Sequence, residues 1–220
     1  MGSSMSQEWN DIHDNREWGK YPGEQVIRFV ARNYYKTKRE NVRILDFGCG
    51  QGAHTWFLAR EGFDTYAFDG AASAVEKTRK WLDNEGLKAT VDVMDGTNTT
   101  YQDGFFDAVI DSACIGHNKV SDIVGMYQDT FRMLKDGGRL YSSFFNTNTT
   151  GFGTGELIEK NTYKNVEKGP LEGLGVVHFW EKDELRDLIS DCGFKDILIE
   201  KDMHTDRGSV IDIFVLTAVK

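Results

Sequence analysis

Four acidic residues, each at the end of a short apolar segment, have the type and spacing to serve a chemical function. They are Asp46, Asp69, Asp95 and Asp111. A single acid at the end of a strand is explained by capping of the next helix or by a solvated turn. Four in succession favour a shared ligand, because the carboxyl ends of parallel strands meet at one edge of an open sheet.

Glycines alternate directly after the first of these acids, at positions 48, 50 and 52. Glycine lets the backbone turn tightly and approach a ligand that a Cβ would exclude. The helix predicted over residues 53–60 points its first N–H groups at the same ligand. The stretch also satisfies the looser dinucleotide pattern G-x-G-x-x-A. However, the charge of Asp46 repels a pyrophosphate and attracts the ammonium and sulfonium groups of S-adenosylmethionine, so the sequence favours the latter cofactor.

A second strand, predicted over residues 64–68, ends at Asp69. This acid lies about 20 residues past the first glycine, where an acid accepts hydrogen bonds from ribose hydroxyls in dinucleotide-binding proteins. S-adenosylmethionine carries the same ribose, so the position fits either cofactor.

The stretches that carry a family resemblance are ILDFGCGQG, YAFDG, VDVMDG, FFDAVIDSACIGH and FRMLKDGGRLYSSFF. They resemble the class I S-adenosylmethionine-dependent methyltransferases over about residues 42–145. The resemblance implies an α/β fold, with a doubly wound, seven-stranded, mostly parallel sheet and a final antiparallel strand. An N-terminal cap helix and a lid insertion after the fifth strand complete the expected architecture.

The resemblance also implies roles for individual residues, with S-adenosylmethionine as the cofactor and S-adenosylhomocysteine as the product. The glycine turn is expected to border the methionyl part and Asp69 to hold the ribose. Asp95 and Gly96 are expected by the adenine, and Asp111 beside the sulfonium. The expected cofactor-binding residues are Tyr21, Asp46, Gly48, Cys49, Gly50, Gly52, His54, Asp69, Gly70, Asp95, Gly96, Asp111 and Ser112.

Two histidines are candidates for a catalytic base, which a hydroxyl acceptor usually needs. His117 follows the fourth predicted strand, and the resemblance places the acceptor there. His178 precedes the last predicted helix, a junction that often borders the acceptor in similar methyltransferases. For both, a structural role in packing or helix capping remains the alternative. Of the other histidines, His13 is expected at the surface, His54 near the cofactor and His204 in a solvated turn.

The N-terminal segment resembles the cap of several bacterial small-molecule methyltransferases, some of them tied to surface-polysaccharide synthesis. Its candidate substrate-binding residues are Arg16, Trp18 and Lys20. A cation there can hold an anionic acceptor by charge-assisted hydrogen bonds, and an aromatic side chain, with Tyr21 the candidate, can cover the cofactor. The alternative is that the tryptophans only pack the N-terminal helix onto the sheet.

The amino-acid composition limits the classes of molecule that the protein is expected to bind. The chain has 220 residues, with 35 acidic and 26 basic side chains and a net charge of −9. This balance argues against nucleic acid or an anionic membrane as the substrate, because both need a basic surface. The three cysteines are isolated and show no disulfide framework and no zinc spacing, so we expect no metal and a reducing, cytoplasmic location.

The expected organisation is a single methyltransferase domain over residues 7–220, preceded by a tag-like remnant at residues 1–6. Within it we predict an N-terminal cap (7–36), a cofactor-binding core (42–145), an acceptor-side lid (146–180) and a C-terminal helix and hairpin (181–220). The lid prediction rests on the composition of its segment, which is rich in Asn, Thr and Gly and has little hydrophobic periodicity.

The sequence therefore favours methyl transfer to a small molecule such as a sugar, a nucleotide sugar or a small acid, anionic acceptors included. Methylation at oxygen is favoured over nitrogen. The stretch Asp111-Ser112-Ala113-Cys114 lacks the two prolines and the aromatic residue typical of enzymes that methylate nucleic-acid amino groups, which argues against a DNA or RNA base as the acceptor. Two alternatives remain open: an NAD-dependent oxidoreductase, and a non-catalytic protein that binds S-adenosylmethionine. The oligomeric state is left open.

Overall fold

A computed structural model of the protein describes residues 4–220, with side chains from Gln7 onward. Of the tag-like stretch, residues 1–3 lie outside the described residues. The helices are α1 (Ser4–Asn15), α2 (Glu24–Tyr34), α3 (Ala53–Arg60), α4 (Ala72–Asn84), α5 (Val120–Met133) and α6 (Lys182–Asp191). The strands are β1 (Arg43–Phe47), β2 (Asp64–Asp69), β3 (Thr90–Val93), β4 (Phe106–Ser112), β5 (Leu134–Phe145), β6 (Glu156–Glu159), β7 (Thr162–Lys164), β8 (Val176–His178), β9 (Lys195–Asp206) and β10 (Ser209–Val219).

Seven of the strands in residues 4–220 form one sheet, hydrogen-bonded in the order β3-β2-β1-β4-β5-β10-β9. β1 pairs parallel with β2, and β2 pairs parallel with β3. β10 is antiparallel both to β5 and to β9, so the last strand of the chain is the reversed one. The predicted fold class is confirmed.

The chain divides into two compact units, each described here by itself. The first comprises the residues up to Ile110 together with Met133–Gly138, and the second comprises Asp111–Arg132 and Arg139–Lys220. A core cluster of the first unit consists of Cys49, Ala67, Val75, Leu82 and Val91. Among the largest fully buried side chains of the second unit are Ile115, Tyr127, Phe144, Phe179 and Trp180.

Element boundaries follow the sequence closely where a periodic pattern is bounded by glycine or a capping position. α3 spans the predicted residues 53–60. The sequence predicts the last helix over residues 181–192, and α6 begins one residue later and ends one residue earlier. The larger difference is β9, which the sequence predicts over residues 195–200. It continues to Asp206 because it pairs with β10 all the way to Ser209.

Residues 146–180 are more ordered than their composition indicates. They contain a three-stranded antiparallel sheet, β6-β7-β8, inside the segment that we predicted as a lid with little periodicity. The apolar side chains Val166, Leu171, Leu174 and Val177 are buried. Periodicity failed as a signal because these strands are only three or four residues long. The role of a lid stays a prediction.

Two features of the structure require a glycine at position 52. Gly52 is the N-cap of α3 with a φ of 91°, a conformation that side chains with a Cβ rarely adopt. A Cβ at this position would also lie 2.7 Å from Thr78 Cγ2. Thr78 is fully buried and donates from Oγ1 to Gly50 O at 2.9 Å, so it cannot move aside without losing this bond.

We therefore expect Gly52→Ala to lower the free energy of unfolding far more than Gly62→Ala. Gly62 is the matched control, because its φ is 85° and a Cβ there would meet nothing within 4 Å. Backbone strain alone should cost about 1 kcal/mol or slightly more in both variants, and the clash with Thr78 should add about 1–3 kcal/mol in Gly52→Ala. Urea denaturation measures the difference, and equal losses in the two variants would contradict it.

Candidate active site

The glycine turn is tied to the predicted ribose acid by two backbone hydrogen bonds. Gly50 N–H donates to Asp69 Oδ2, and Ala71 N–H donates to Asp69 Oδ1, both at 2.8 Å. A carboxylate offers about four acceptor sites, so one further site on each oxygen is left by these two bonds. The arrangement suits a ligand with two neighbouring hydroxyl groups, which is what a ribose presents.

The glycine turn itself is a compact backbone loop. Gly48, Gly50 and Gly52 all have positive φ, Cys49 N–H donates to Phe68 O at 2.9 Å and Gly52 N–H donates to Cys49 O at 3.0 Å. These bonds hold the loop against the end of β2, where Gly70 follows Asp69 directly. The predicted residues Gly48, Cys49, Gly50, Gly52, Asp69 and Gly70 are thus brought together in the first unit.

Asp46 lies beneath the turn rather than on its surface. Its side chain is 1% exposed and accepts a hydrogen bond from Thr55 Oγ1 at 2.6 Å. Burial raises the pKa of Asp46, while nearby His54 and the bond from Thr55 oppose the rise. His54 Nδ1 lies 4.0 Å from Asp46 Oδ1, and its Nε2 accepts from Gly23 N–H at 3.4 Å. Asp46 and His54 therefore link α3 to β1 and to the start of α2.

Asp95 lies in the turn after β3, next to the end of β2. Met94 N–H donates to Asp69 O at 3.0 Å, which brings the two strand ends together. Asp95 Oδ1 accepts from the backbone N–H of Thr97 at 2.9 Å and from its hydroxyl at 2.7 Å. The residue is exposed, and Gly96 is half-buried beside it. The role predicted for both residues beside the adenine stays a prediction.

In the second unit, Asp111 has a mainly structural environment. It is fully buried, and its Oδ1 accepts from the N–H groups of Cys114 and Ile115 at 2.9 and 3.1 Å. Its Oδ2 accepts from Tyr127 Oη at 2.7 Å and also from the hydroxyl of Ser142. Burial raises the pKa of Asp111, opposed by these four bonds. Both oxygens are thus occupied by protein groups, and the predicted role of Asp111 toward the sulfonium stays a prediction.

Ser112 is the last residue of β4 and is half-buried. It follows Asp111 in the chain, and the next residue, Ala113, has a φ of 59°. The strand therefore ends in a sharp turn at this point, and the predicted role of Ser112 toward the cofactor stays a prediction.

In the N-terminal segment, the side chain of His13 reaches the glycine turn, and the role of Tyr21 toward the cofactor stays a prediction. Tyr21 is 82% exposed, and its ring meets the Trp56 ring edge-on at 6.4 Å. His13, which we expected at the surface, is only 4% exposed, and its Cε1 lies 3.5 Å from the position of a Cβ on Gly50. The surface prediction for His13 is wrong, because the apolar rings of Trp9 and Trp18 flank it.

The three predicted substrate-binding residues lie on the stretch that follows α1. The Arg16 guanidinium lies 4.7 Å from the centre of the Trp18 ring. Arg16 and Lys20 are exposed, and Trp18 is half-buried. Gln51 of the glycine turn holds this stretch, donating to Arg16 O at 2.8 Å and accepting from Trp18 N–H at 3.2 Å.

His117 is held by backbone carbonyls. Its Nδ1 lies 3.0 Å from Val176 O, and because a carbonyl only accepts, Nδ1 carries the proton. Burial lowers the pKa of His117 to about 4, and hydrogen bonds to the carbonyls of Val176 and Leu174 oppose the shift only in part. The imidazole therefore ties the β4–α5 loop to the segment before β8, which supports the structural alternative for this residue.

His178 belongs to a group of polar side chains that we call the His178 cluster: Asn161, His178, Trp180 and Glu184. His178 Nδ1 lies 2.7 Å from Thr162 Oγ1, and its Nε2 lies 3.8 Å from Glu184 Oε1. Four atoms of the cluster are buried with no hydrogen-bond partner among residues 4–220: Asn161 Nδ2, His178 Nε2, Trp180 Nε1 and Glu184 Oε2. The cluster thus offers two hydrogen-bond donors and up to two acceptors. The sequence analysis did not identify Asn161 or Trp180 as candidate site residues.

Comparison with known proteins gives a family match for the predicted cofactor-binding core. Residues 44–138, which contain the glycine turn, Asp69, Asp95 and Asp111, match the family model of the methyltransferase domain. This match covers fewer than half of the 220 residues, and over these residues the chain is similar to methyltransferases. Its cofactor is S-adenosylmethionine, as the glycine turn and Asp69 indicated.

One curated relative of this chain is the ubiquinone biosynthesis O-methyltransferase of Cereibacter sphaeroides. It is 28% identical over 167 residues, which cover 72% of this chain and 62% of the relative. The chain thus spans about three fifths of the length of that relative.

Two solved structures share the fold. A S-adenosylmethionine-dependent methyltransferase from Methanosarcina mazei has a TM-score of 0.74 and 25% identity, covering 87% of this chain and 96% of that one. The 1,6-didemethyltoxoflavin-N1-methyltransferase of Burkholderia thailandensis, solved with its acceptor and S-adenosylhomocysteine, has a TM-score of 0.74 at 17% identity, covering 98% and 86%. In the described part of the chain, no helix has the length and apolar character needed to cross a membrane.

The environment of His117 predicts how the stability of the protein depends on pH. Its folded-state pKa of about 4 lies below the unfolded value of about 6.5. His117 therefore contributes stability that is complete above about pH 6.5 and is lost as the pH falls toward 4. Between pH 7 and pH 5 the wild type should lose about 2 kcal/mol more unfolding free energy than His117→Gln, whose amide does not titrate. Urea unfolding at the two pH values measures this, and parallel losses would contradict it.

Proposed function

We propose that this protein transfers the methyl group of S-adenosylmethionine to an oxygen atom of a small molecule. The observation that carries the proposal is the Asp69 carboxylate, held by Gly50 N–H and Ala71 N–H at the glycine turn of a methyltransferase domain. The acceptor classes favoured by the sequence are sugars, nucleotide sugars and small acids. Oxygen as the methylated atom is supported by a curated relative named as an O-methyltransferase.

The cofactor supplies an activated methyl group on a sulfonium, so the protein must mainly align the acceptor and exclude water. In the first unit, the glycine turn and Asp69 would hold the methionyl and ribosyl parts. The exposed Arg16 and Lys20 are the support for anionic acceptors, and the link to surface-polysaccharide pathways stays a prediction.

A hydroxyl acceptor must lose its proton, and His178 is better placed than His117 to take it. The two backbone carbonyls that hold His117 are acceptors and leave its ring in a structural role. His178 Nε2, by contrast, has no hydrogen-bond partner in the described residues and faces the carboxylate of Glu184. An acceptor hydroxyl that donates to this pair would pass its proton to His178, and the Glu184 charge would stabilise the resulting imidazolium.

The remaining members of the His178 cluster would orient the acceptor. Trp180 Nε1 and Asn161 Nδ2 are donors without partners in the described chain, and leaving such groups unpaired costs about 1–3 kcal/mol each. An acceptor with carbonyl or hydroxyl oxygens beside the methylated group would satisfy them. Part of the cluster is open to solvent, since the Glu184 side chain is 29% exposed.

Cofactor binding tests the first half of the proposal. S-adenosylhomocysteine should bind and raise the melting temperature, because a ligand of the native state stabilises it. Asp69→Ala should weaken binding by about 1.5–3 kcal/mol, the range for hydrogen bonds to a charged group. The exposed Asp83→Ala on α4 should bind normally. Calorimetry that shows NAD binding, and no S-adenosylhomocysteine binding, would instead favour the oxidoreductase alternative.

Turnover tests the second half, with a panel of hydroxylated acceptors and methyl-labelled cofactor. His178→Ala should lower turnover by about 10²- to 10⁴-fold, whereas the exposed His204→Ala should not. Burial lowers the pKa of His178 and the Glu184 charge raises it. Glu184→Gln should therefore lower this pKa further and move the acid limb of the rate profile to lower pH.

Normal turnover in His178→Ala, together with an unmoved profile in Glu184→Gln, would mean that alignment alone carries the reaction. A protein that binds the cofactor tightly and methylates no member of the panel would favour the non-catalytic alternative.

A further inference from the structure

The last turn of α1 and the residues after it form what we call the N-terminal strap, residues 10–18. Three groups of the first unit hold it in place with four hydrogen bonds. Ser73 N–H donates to Asn10 Oδ1 at 3.1 Å, Gln51 Nε2 donates to His13 O at 3.3 Å and to Arg16 O at 2.8 Å, and Lys77 Nζ donates to His13 O. The strap is therefore fixed to the glycine turn on one side and to α4 on the other.

His13 is the strap residue that reaches the glycine turn. Its Cε1 lies 3.5 Å from the position that a Cβ of Gly50 would occupy, which is ordinary van der Waals distance. Gly50 is also the residue whose N–H holds Asp69. The imidazole thus lies beside Gly50 and Asp69, on which the proposed binding of S-adenosylmethionine rests.

Two polar atoms of the strap are buried without a partner among the described residues. They are His13 Nδ1 and Trp18 Nε1. The His13 ring is 4% exposed, with the rings of Trp9 and Trp18 centred 5.8 and 5.9 Å away. A buried polar atom without a partner costs about 1–3 kcal/mol, so its retention needs a reason, and a ligand that completes the hydrogen bond supplies one.

The charge state of His13 suits a neutral ligand group. Burial lowers the pKa of His13, Asp69 and Asp14 oppose the shift, and Lys77 adds to it. A neutral imidazole has one donor and one acceptor nitrogen. Either can pair with a hydroxyl, whereas only the donor can pair with a carboxylate.

We propose that His13 is a cofactor-binding residue, and that its Nδ1 completes a hydrogen bond with S-adenosylmethionine when the strap is closed over the glycine turn. The inference rests on the proposed use of S-adenosylmethionine and adds a contact from the N-terminal strap. The contact also explains why His13 is buried, because the bound ligand would form the hydrogen bond that His13 Nδ1 lacks in the protein alone.

Calorimetry with S-adenosylhomocysteine tests the contact. His13→Phe keeps an aromatic ring between Trp9 and Trp18 and removes both nitrogens, so affinity should fall about 10-fold or more, the equivalent of one hydrogen bond of about 1.4 kcal/mol. His13→Asn keeps a polar group near the Nδ1 position and should retain more affinity than His13→Phe. His204→Phe, an exposed histidine on β9, is the matched control and should bind as the wild type does.

The failure of this inference is distinct from the failure of the proposed function. If the wild type does not bind S-adenosylhomocysteine, the proposed function fails and His13 has no such ligand. If the wild type binds and His13→Phe binds equally well, only the His13 contact is overturned. A truncated ligand, 5′-methylthioadenosine, separates the two ends of the cofactor: an equal loss for both ligands places the contact at the nucleoside, and a loss for S-adenosylhomocysteine alone places it at the amino-acid end.

A measurement on the wild type keeps the test independent of the folding of any variant. The chain has five histidines, and ring ¹³C labelling gives one Cε1 resonance for each, assigned in the wild type by correlating each ring with its own backbone amide. Saturation with S-adenosylhomocysteine should shift the His13 resonance and leave the exposed His204 resonance in place. An unmoved His13 resonance in the ligand-saturated protein would overturn the proposal.

Discussion

The hydrogen bonds from Gly50 N–H and Ala71 N–H to the Asp69 carboxylate are the constraint on which the first unit depends. They fix the glycine turn relative to the end of β2, and they can form only because the turn adopts backbone conformations with positive φ. Thr78 completes the arrangement, since it fills the space beside Gly52 and donates to Gly50 O. A change at the turn therefore alters both the orientation of Asp69 and the packing of α4.

The four acids at the strand ends divide into two kinds once their surroundings are known. Asp46 and Asp111 are buried, and their oxygens accept hydrogen bonds from Thr55 in the first unit and from Cys114, Ile115, Tyr127 and Ser142 in the second. Burial of a carboxylate is tolerated because such bonds stabilise it. Asp69 and Asp95 remain accessible to a ligand. The same residue type at the ends of successive strands is thus buried and hydrogen-bonded within the fold in two places and is at least partly exposed in the other two.

The histidines show how burial separates residues that look equivalent in the sequence. His13, His117 and His178 are all buried, and desolvation lowers the pKa of each. Their partners differ: His117 faces two carbonyls, His178 faces a carboxylate and a threonine hydroxyl, and His13 faces the glycine turn. Carbonyl partners leave an imidazole in a structural role, a carboxylate partner supports proton transfer, and an unpaired nitrogen beside a ligand-binding turn is suited to ligand recognition.

The sequence alone determined the fold class, the glycine turn, the bounds of α3 and the identity of the cofactor. These follow from local chemistry, because strand alternation, glycine conformation and an acid at a strand end act over a few neighbouring residues. Only the tertiary structure decided which acids are buried, that residues 146–180 contain a second sheet, and that His13 rather than Tyr21 lies beside Gly50. Such placements depend on contacts between residues far apart in the chain, such as Gln51 with Arg16 and Thr162 with His178, and no periodicity or motif within a segment specifies which distant side chain will pack against it.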